Sequence, residues 1–329
     1  MEAFVHQRIH DTLKAAKKPL LVCDARIDGD SLGSALAVAD WLMKEGKRPQ
    51  VFVVTPVPES YRFLPLLHLT TTDRGVFADP ELDAIAFFDC SREEFAADLL
   101  KPVPGRPVII NVDHHDTNTR YGDLNQVLAD APATAEVMYR FFRENDIPVS
   151  REAALCLLTG IYFDTTAFLN GGTNDRAFQA AADLVRCGAK SSDVIRALML
   201  NRSLPALRVW GAALERLREI PGTGWVITHI TRDDLASNGV RDEELQEFSD
   251  FLSLMVDADT LAVMREADGG MRLSMRTQSG DVARVARVLS GGGHVKAAGG
   301  FIPSASVEEA EIRLKEVVEA CQKQRKSVS

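Results

Sequence analysis

The sequence has few cysteines, and their positions predict neither a disulfide framework nor a structural zinc site. The chain of 329 residues contains five, at Cys23, Cys90, Cys156, Cys187 and Cys321. They are widely separated and include no CxxC pair. An odd number of scattered cysteines is typical of reduced thiols. A disulfide-stabilised secreted domain is therefore not expected.

Long apolar runs are also absent. No run approaches the roughly 18 residues that a membrane-spanning helix needs. The first residues, MEAFVHQRIH, lack the apolar core of a signal peptide. Charged residues make up 26% of the chain. The sequence therefore predicts a soluble, cytoplasmic protein without membrane contact.

Positive charge is scarce. The chain has 38 Lys and Arg residues against 47 Asp and Glu, a net charge of −9. Binding to long duplex nucleic acid by charge requires extended neutralisation of phosphates by Lys and Arg. The composition argues against such a partner and is compatible with a small anionic ligand in a local pocket.

The apolar content is sufficient for two hydrophobic cores. Hydrophobic residues make up 46% of the 329-residue chain, and a chain of this length exceeds what one core usually organises. The alternation of strands and helices stops near residue 190, where polar residues surround a short helical segment. We predict an N-terminal domain over residues 1–190, a linker over 191–210 and a C-terminal domain over 211–329.

The first half alternates β-rich runs with helical stretches, which indicates an α/β domain with a parallel sheet flanked by helices. Strands are predicted at Pro19–Asp24, Gln50–Val54, Ala84–Asp89 and Val108–Asp113, and helices at Ser31–Gly46, Thr134–Glu144, Arg151–Tyr162 and Asp175–Arg186. The second half predicts a smaller α/β domain. Its strands are predicted at Trp225–Thr231, Leu261–Arg265 and Met271–Thr277, and its helices at Asp281–Leu289 and Val307–Gln322.

Aspartates lie at the carboxyl ends of three predicted strands. Asp24, Asp89 and Asp113 end their strands, and Asp28 and Asp30 follow the first. Ligands bind at that edge of a parallel sheet. Carboxylates meeting there would repel one another unless cations lay among them. The arrangement predicts a metal site, although any one of these aspartates could instead be a helix N-cap.

Two histidines and one further acid extend this pattern. His114 and His115 follow Asp113, and mixed Asp and His ligation suits borderline divalent ions such as manganese. Asp164 lies where the apolar helical run in GIYFDTTAF ends. Adjacent histidines are also common as ordinary surface or core pairs. The metal interpretation therefore depends on the joint occurrence of these residues at corresponding strand ends.

Five segments together resemble a known family. DARIDGDSLGSALA, FFDCS, VDHHDTN and TGIYFDTTAF are similar, in this order, to the four motifs of DHH phosphoesterases. RLSMRTQSG and ARVLSGGGHVKAAGG resemble the DHHA1 domain that accompanies them in the nano-RNase and pAp-phosphatase branch, related to RecJ. The resemblance implies a metal-binding catalytic domain followed by a substrate-binding domain.

The resemblance also implies two divalent metal ions, manganese first and magnesium as the second candidate. One ion would be held by Asp24, Asp28 and Asp89, and the other by Asp30, Asp89, His114 and Asp164. The chain departs from the family at position 24, where histidine is usual, and at Ile27, where proline is usual. An aspartate at position 24 adds negative charge and a harder oxygen donor, which changes the metal preference.

Two residues beside these ligands are candidates for roles in the chemistry. His115 would contact the phosphate or protonate the leaving oxygen. Asp113 would orient a neighbouring imidazole. Two ions would activate a water and neutralise charge on the phosphoryl oxygens, so that hydrolysis requires no covalent intermediate.

The second half contains a locally basic, glycine-rich segment. Gly291, Gly292 and Gly293 would let backbone amides approach an anion, and Arg276 and His294 could grip a terminal phosphate. The ordinary alternative is a glycine turn between a helix and a strand, with solvated arginines on a helix face. Similarity to the family's GGGH segment, despite a serine in place of a frequent first glycine, favours substrate binding.

With this resemblance, the sequence predicts a phosphoesterase that converts very short single-stranded RNA to mononucleotides, with 3′-phosphoadenosine 5′-phosphate as a companion substrate. One alternative is a phosphodiesterase for dinucleotides such as c-di-AMP or pApA. Another is a nucleotide-binding protein without catalysis, suggested by Asp24. An inorganic pyrophosphatase shares the DHH motifs but lacks the glycine–histidine segment. The sequence leaves cleavage polarity and oligomeric state open, a homodimer included.

Overall fold

The computed structural model describes residues 2–200, 203–245 and 248–326. The chain divides after residue 201 into two compact units. Each unit has its own hydrophobic cores. Among the described residues, no helix has the length and apolar character that would let it cross a membrane.

A six-stranded sheet forms the centre of the first unit. Its strands are β1 (Pro19–Cys23), β2 (Gln50–Phe52), β3 (Thr70–Thr71), β4 (Ala84–Phe88), β5 (Val108–Asp113) and β6 (Leu124–Val127). The order is β3-β2-β1-β4-β5-β6, and all five pairings are parallel. β1 and β4 are buried along their whole length, as expected of strands that helices cover on both faces.

Helices cover both faces of this sheet. They are α1 (Glu2–Ala15), α2 (Gly29–Lys44), α3 (Glu93–Leu100), α4 (Thr134–Glu144), α5 (Arg151–Asp164), α6 (Asp175–Arg186) and α7 (Ser191–Ile195), with 3₁₀ turns at Glu59–Tyr61, Leu67–Leu69 and Arg74–Ala78 and a π-helix at Arg196–Leu200. Leu21 and Cys23 of β1 pack in the core that includes α1, α2, α4, α5 and α6. Leu20 and Val22 pack on the other face, with α3. The alternation of side chains along a strand explains this division.

The predicted α/β class and parallel sheet are confirmed, and the predicted elements differ from the observed ones at their ends. α4 and α6 begin and end at the predicted residues, whereas α5 continues to Asp164. α2 begins at Gly29 because Asp28 caps it. β4 ends before Asp89, whose φ of 63° departs from extended geometry. In the first unit, the sequence analysis did not predict α1, α3, β3 or β6.

The second unit is built on a mixed sheet. Its strands are β7 (Arg218–Ile220), β8 (Trp225–Ile230), β9 (Thr260–Ala267), β10 (Gly270–Thr277), β11 (Gly292–Gly293) and β12 (Ala297–Pro303). The order is β11-β12-β10-β9-β8-β7. β8 and β9 pair in parallel, and the other described pairs are antiparallel.

Two groups of helices pack on opposite faces of this sheet. The helices are α8 (Leu204–Glu215), α9 (Arg232–Asn238), α10 (Phe248–Met255), α11 (Val282–Val288) and α12 (Val307–Lys326), with a 3₁₀ turn at Asp242–Leu245. α11 and α12 contribute to one core, and α8 and α10 to the other. Val209 and Trp210 of α8 are buried, although they fall in the segment 191–210 predicted as a linker. The extent of the linker stays a prediction.

Candidate metal centre

The strand order of the first sheet reverses between β1 and β4. β2 and β3 continue to one side, and β5 and β6 to the other. In open α/β sheets such a reversal leaves a ligand-binding crevice at the carboxyl ends of the strands. Asp24 directly follows β1, Asp89 directly follows β4, and Asp113 is the last residue of β5. The topology therefore places these three acids at the edge where a ligand is expected.

Two glycines let α2 and α5 approach closely enough to bring further acids to this edge. A β-carbon on Gly33 would lie 2.3 Å from the carbonyl oxygen of Cys156. One on Gly160 would lie 2.6 Å from Asp30 Oδ1. Protein interiors do not tolerate such overlaps. The absence of these side chains allows Asp30, in the first turn of α2, to lie beside the end of α5, which carries Asp164.

Asp30 is buried and caps a helix that is distant in sequence. Its Oδ2 accepts a hydrogen bond from the backbone N–H of Thr134 at 2.6 Å, and its Oδ1 accepts one from Ala135 at 2.7 Å. The N-cap position of α4 is Ala133, which has no capping side chain of its own. Burial, reinforced by the charge of Asp164, raises the pKa of Asp30 well above its usual range.

Thr134 connects Asp30 to Asp89. Its hydroxyl donates to Asp89 Oδ1 at 2.9 Å, while its backbone N–H donates to Asp30. Burial, then the charges of Asp30 and Asp28, raise the pKa of Asp89 well above its usual range. Sequence reasoning missed Thr134. The available signal was an alanine at the N-cap of α4, where Ser, Thr, Asp or Asn is preferred.

The neutral form of the His114 ring is suited to metal binding. Its Nδ1 lies 3.3 Å from the carbonyl oxygen of Ala131, which can only accept a hydrogen bond, so in the neutral ring Nε2 carries the lone pair. Nε2 is buried, 2.9 Å from Asp164 Oδ2 and 3.5 Å from Asp89 Oδ1. Neither contact has the geometry of a hydrogen bond, so Nε2 of His114 has no hydrogen-bond partner among the described residues. An orphaned buried nitrogen facing two carboxylates fits a divalent cation.

The electrostatics of His114 lead to the same conclusion. Burial lowers the pKa of the imidazole, but contact with Asp164 and the charge of Asp30 outweigh it and raise that pKa to about 10. The surrounding carboxylates therefore favour positive charge at this position. A divalent ion would supply that charge.

Asp113 contacts the neighbouring imidazole of His115. His115 Nδ1 lies 2.8 Å from Asp113 Oδ1, and Asn118 Nδ2 donates to Asp113 Oδ2 at 2.5 Å. Burial raises the pKa of Asp113, but the hydrogen bond from His115 helps to hold it below its usual value. Asp113 therefore fixes the orientation of the His115 ring, which is half-buried at the edge of the site. Asn118 was also missed by the sequence reasoning.

Candidate ligand atoms form two groups among the described residues, and within each group all the atoms lie within 4.8 Å of one another. One comprises Asp89, Asp113, His114 and His115, and the other Asp30, His114 and Asp164. Neither group includes Asp24 or Asp28. Asp28 Oδ1 accepts from the backbone N–H groups of Asp30 and Ser31, the helix-cap role considered from the sequence. Burial and the charge of Asp164 raise its pKa to about 6.

The predicted phosphate-binding residues all lie in the second unit, and each of them except Gly292 makes a structural contact there. β-Carbons on Gly291 and Gly293 would lie 2.0 and 2.6 Å from carbonyl oxygens of the neighbouring strand, whereas one on Gly292 would meet open space. His294 exchanges backbone hydrogen bonds with Ala297 in the turn before β12. Arg276 Nε donates to Asp250 Oδ1 at 2.7 Å. The glycine turn considered from the sequence is therefore present, and a substrate role for these residues stays a prediction.

Comparison with known proteins assigns the chain to a family. Residues 18–161 match the DHH family, N-terminal domain, and residues 222–324 match the DHHA1 domain. The chain belongs to the DHH family with a C-terminal DHHA1 domain, and it is a phosphoester hydrolase. The resemblance read from the motifs is confirmed.

Individual relatives extend this comparison over most of the chain. A Thermus thermophilus protein named bifunctional oligoribonuclease and PAP phosphatase NrnA is 29% identical, over 94% of this chain and 92% of the relative. The crystal structure of an exopolyphosphatase-related protein from Bacteroides fragilis superposes with a TM-score of 0.88 at 22% identity, covering 98% of both chains. RecJ from Thermus thermophilus, crystallised with Mn²⁺, superposes with a TM-score of 0.56 at 13% identity, covering 97% of this chain and 55% of RecJ. These two structures show a shared fold.

Proposed function

We propose that this enzyme degrades very short single-stranded RNA to mononucleotides and also hydrolyses 3′-phosphoadenosine 5′-phosphate. The observation that carries the proposal is the convergence of Asp30, Asp89, His114 and Asp164 at the carboxyl edge of the parallel sheet. The name of the Thermus thermophilus relative, which matches this chain over 94% of its length, supports the choice of substrates.

The proposal includes two divalent metal ions, manganese or magnesium. Asp30, Asp89, His114 and Asp164 would hold one, and Asp24, Asp28 and Asp89 the other. When bound, such ions activate water and neutralise charge on a phosphoryl group. The orphaned Nε2 of His114 and the raised pKa values of Asp30 and Asp89 support the first of these sites. Asp24 and Asp28, which with Asp89 would hold the second ion, lie outside both groups of close ligand atoms.

His115 and Asp113 would serve the reaction from the rim of the site. The hydrogen bond from His115 Nδ1 to the buried Asp113 favours a proton on Nδ1 and directs Nε2 away from that carboxylate. In the imidazolium form Nε2 also carries a proton, which it can donate to a phosphate oxygen or deliver to the leaving oxygen, leaving the neutral ring with its remaining proton on Nδ1. Asn118 holds the other oxygen of Asp113, so that the carboxylate cannot rotate away from the ring.

The second unit would bind the end of the substrate that is not cleaved. Arg276, His294 and the backbone amides of Gly291, Gly292 and Gly293 are the proposed contacts with a terminal phosphate. An acidic chain with a net charge of −9 suits a short ligand held at such a site better than long duplex nucleic acid. A cytoplasmic location is part of the proposal, and a homodimer is compatible with it.

Product analysis tests the substrate assignment. The purified chain would be incubated in the presence of Mn²⁺ with one substrate at a time, and the products would be separated by chromatography. The substrates are 3′-phosphoadenosine 5′-phosphate, pApA, short RNA oligonucleotides and cyclic dinucleotides. We expect mononucleotides from short RNA and AMP from 3′-phosphoadenosine 5′-phosphate, with both activities abolished by EDTA. Turnover of cyclic dinucleotides alone would instead identify a signalling phosphodiesterase. Nucleotide binding with neither bound metal nor hydrolysis would identify a binding protein.

A further inference from the structure

Phe163 is an exposed aromatic residue beside the candidate metal centre. It immediately precedes Asp164, and 38% of its surface is accessible. It also packs against Gly29, because a β-carbon at Gly29 would lie only 2.8 Å from that of Phe163. Gly29 separates Asp28 from Asp30. Phe163 therefore touches the backbone that joins two candidate ligands and is the chain neighbour of a third.

The backbone that follows Phe163 is fixed in an unusual conformation. Residues 166–168 have consecutive φ values of 49°, 55° and 68°, a left-handed turn that contains no glycine. Asn170 Nδ2 donates to the carbonyl oxygen of Asp164 at 2.5 Å. The ring of Phe168 packs edge-on against Tyr162 at 4.9 Å and stacks on Phe178 at 4.7 Å. Strain that packing holds in place is typical of functional sites. These contacts fix the end of α5, and with it the backbone of Phe163.

Phe163 differs from the other aromatic residues of this segment. Tyr162 and Phe168 pack against the core, whereas Phe163 does not belong to it. Among the described residues, no ring contact is made by Phe163. Exposed apolar surface has a hydration cost that burial under a ligand would remove. An exposed aromatic side chain that contacts the backbone between Asp28 and Asp30 suits a ligand with one planar apolar part and one anionic part, the anionic part being held by a metal ion at the carboxylates.

We propose that Phe163 is a stacking platform for the nucleobase of the nucleotide whose phosphate lies at the metal centre. A nucleotide has the required combination, since its base is planar and its phosphate would be held beside Asp164. Stacking of a base on an aromatic side chain contributes to affinity with any base, because every base has a π-face. The identity of the ligand rests on the proposed function, whereas the base-dependent affinity is a separate property of Phe163.

Calorimetric titration separates the contribution of the base from that of the phosphates. The two ligands are 3′-phosphoadenosine 5′-phosphate and ribose 3′,5′-bisphosphate, which lacks the base, with Ca²⁺ in place of Mn²⁺ to suppress turnover. We expect the wild-type chain to bind the adenine-containing ligand about tenfold more tightly. Phe163→Ala and Phe163→Leu should remove this advantage and leave the affinity for ribose bisphosphate within about twofold of wild type. Phe163→Tyr should retain it.

Val185→Ala is the control, because Val185 is also an exposed apolar residue, at 46%, and lies on α6. It should keep the advantage of the base. The proposal is overturned if the wild type binds both ligands equally, if Phe163→Ala keeps the advantage, or if Phe163→Leu and Phe163→Tyr behave alike. Hydrolysis by the wild type with Mn²⁺ is measured separately. If the wild type does not hydrolyse the substrates but recognises the base through Phe163, the proposed function is refuted and the stacking platform is supported. If it hydrolyses them but Phe163 makes no difference to base recognition, the proposed function is supported and the platform is refuted.

Discussion

Acidic side chains at the carboxyl edge of the first sheet and acidic side chains in the second unit have opposite electrostatic surroundings. At the carboxyl edge of the first sheet, burial and mutual repulsion raise the pKa of Asp28 to about 6 and those of Asp30 and Asp89 well above their usual range. In the second unit, arginines pair with acids: Arg216 with Asp234, Arg265 with Asp242 and Arg276 with Asp250. The first region therefore offers ligand atoms to a cation, whereas these pairs in the second are neutralised by each other.

This contrast changes the interpretation of Arg276. The sequence suggested a cation available to a phosphate, but the structure shows its guanidinium donating to Asp250. A phosphate at this position must displace that carboxylate or share the guanidinium with it. The acidic region shows the reverse, since a bound cation would reduce the repulsion among its carboxylates.

Asp89→Ala should have the largest effect, because it breaks the acidic region at the residue assigned to both ions. We expect hydrolysis to fall by about 100-fold or more, with lower metal content by elemental analysis. The metal-free protein should remain folded, since Asp89 has a raised pKa and its ionised form opposes folding. Asp98→Ala is the control, as an exposed acid paired with Arg74 and Lys101. More than a tenth of the wild-type rate in Asp89→Ala would contradict the assignment.

Thr134→Val should have the next largest effect, because it removes the hydroxyl that holds Asp89 and keeps the backbone N–H that holds Asp30. We expect about a tenfold loss of activity at limiting metal concentration, which higher metal concentration partly restores. Thr134→Ser retains the hydroxyl and should behave as wild type. If Val and Ser variants have the same manganese titration curve, Thr134 does not position Asp89.

The sequence predicted the parts of the site that depend on local spacing. Buried parallel strands are short apolar runs, so their carboxyl ends, with Asp24, Asp89 and Asp113, could be located without coordinates. The same pattern singled out His114 and Asp164, and the family resemblance assigned both to one metal ion. These patterns located each acid along the chain, and the strand order then places the acids at the carboxyl edge of the first sheet.

Contacts between distant segments could not be predicted in the same way. Asp30 and Thr134 are 104 residues apart, and their hydrogen bond depends on how α2 packs against the start of α4, with Gly160 of α5 beside both. The pairing of Arg276 with Asp250 depends on how α10 lies against β10, which no spacing rule specifies. The closeness of Gly291 to the neighbouring strand likewise follows from sheet pairing. Residue type alone therefore could not separate a ligand contact from a structural one.

A pair of variants tests whether Arg276 is a phosphate contact or only the partner of Asp250. If it grips phosphate, Arg276→Ala should raise the KM for short RNA about fivefold, and Asp250→Ala should lower it or leave it unchanged. Metal content should be normal in both. If the pair is only structural, both variants should lower the melting temperature alike and leave KM unchanged, which would contradict the proposed role.

The smallest expected effect concerns the pair of Arg216 and Asp234, whose electrostatics are opposite to those of the metal centre. Two hydrogen bonds from the guanidinium, at 2.5 and 2.9 Å, hold the carboxylate, and they lower the pKa of Asp234 to about 2. A carboxyl whose pKa is lowered by folding stabilises the fold fully at pH values above its pKa in the unfolded chain, which is near 3.9. That contribution disappears as the pH falls through about 2.

Asp234→Asn should therefore reduce the free energy of unfolding of the second unit by about 1 kcal/mol at pH 7. The deficit should shrink between about pH 5 and pH 2, because asparagine does not titrate and the wild type loses its advantage there. The three tryptophans are Trp41, Trp210 and Trp225, so a Trp41→Phe background leaves fluorescence from the second unit alone during urea unfolding. Asp268→Asn, at an exposed partner of Arg232, is the control and should change little. A deficit that stays constant with pH would show that the Asn variant acts through the helix cap with Thr231 rather than through the charge of Asp234.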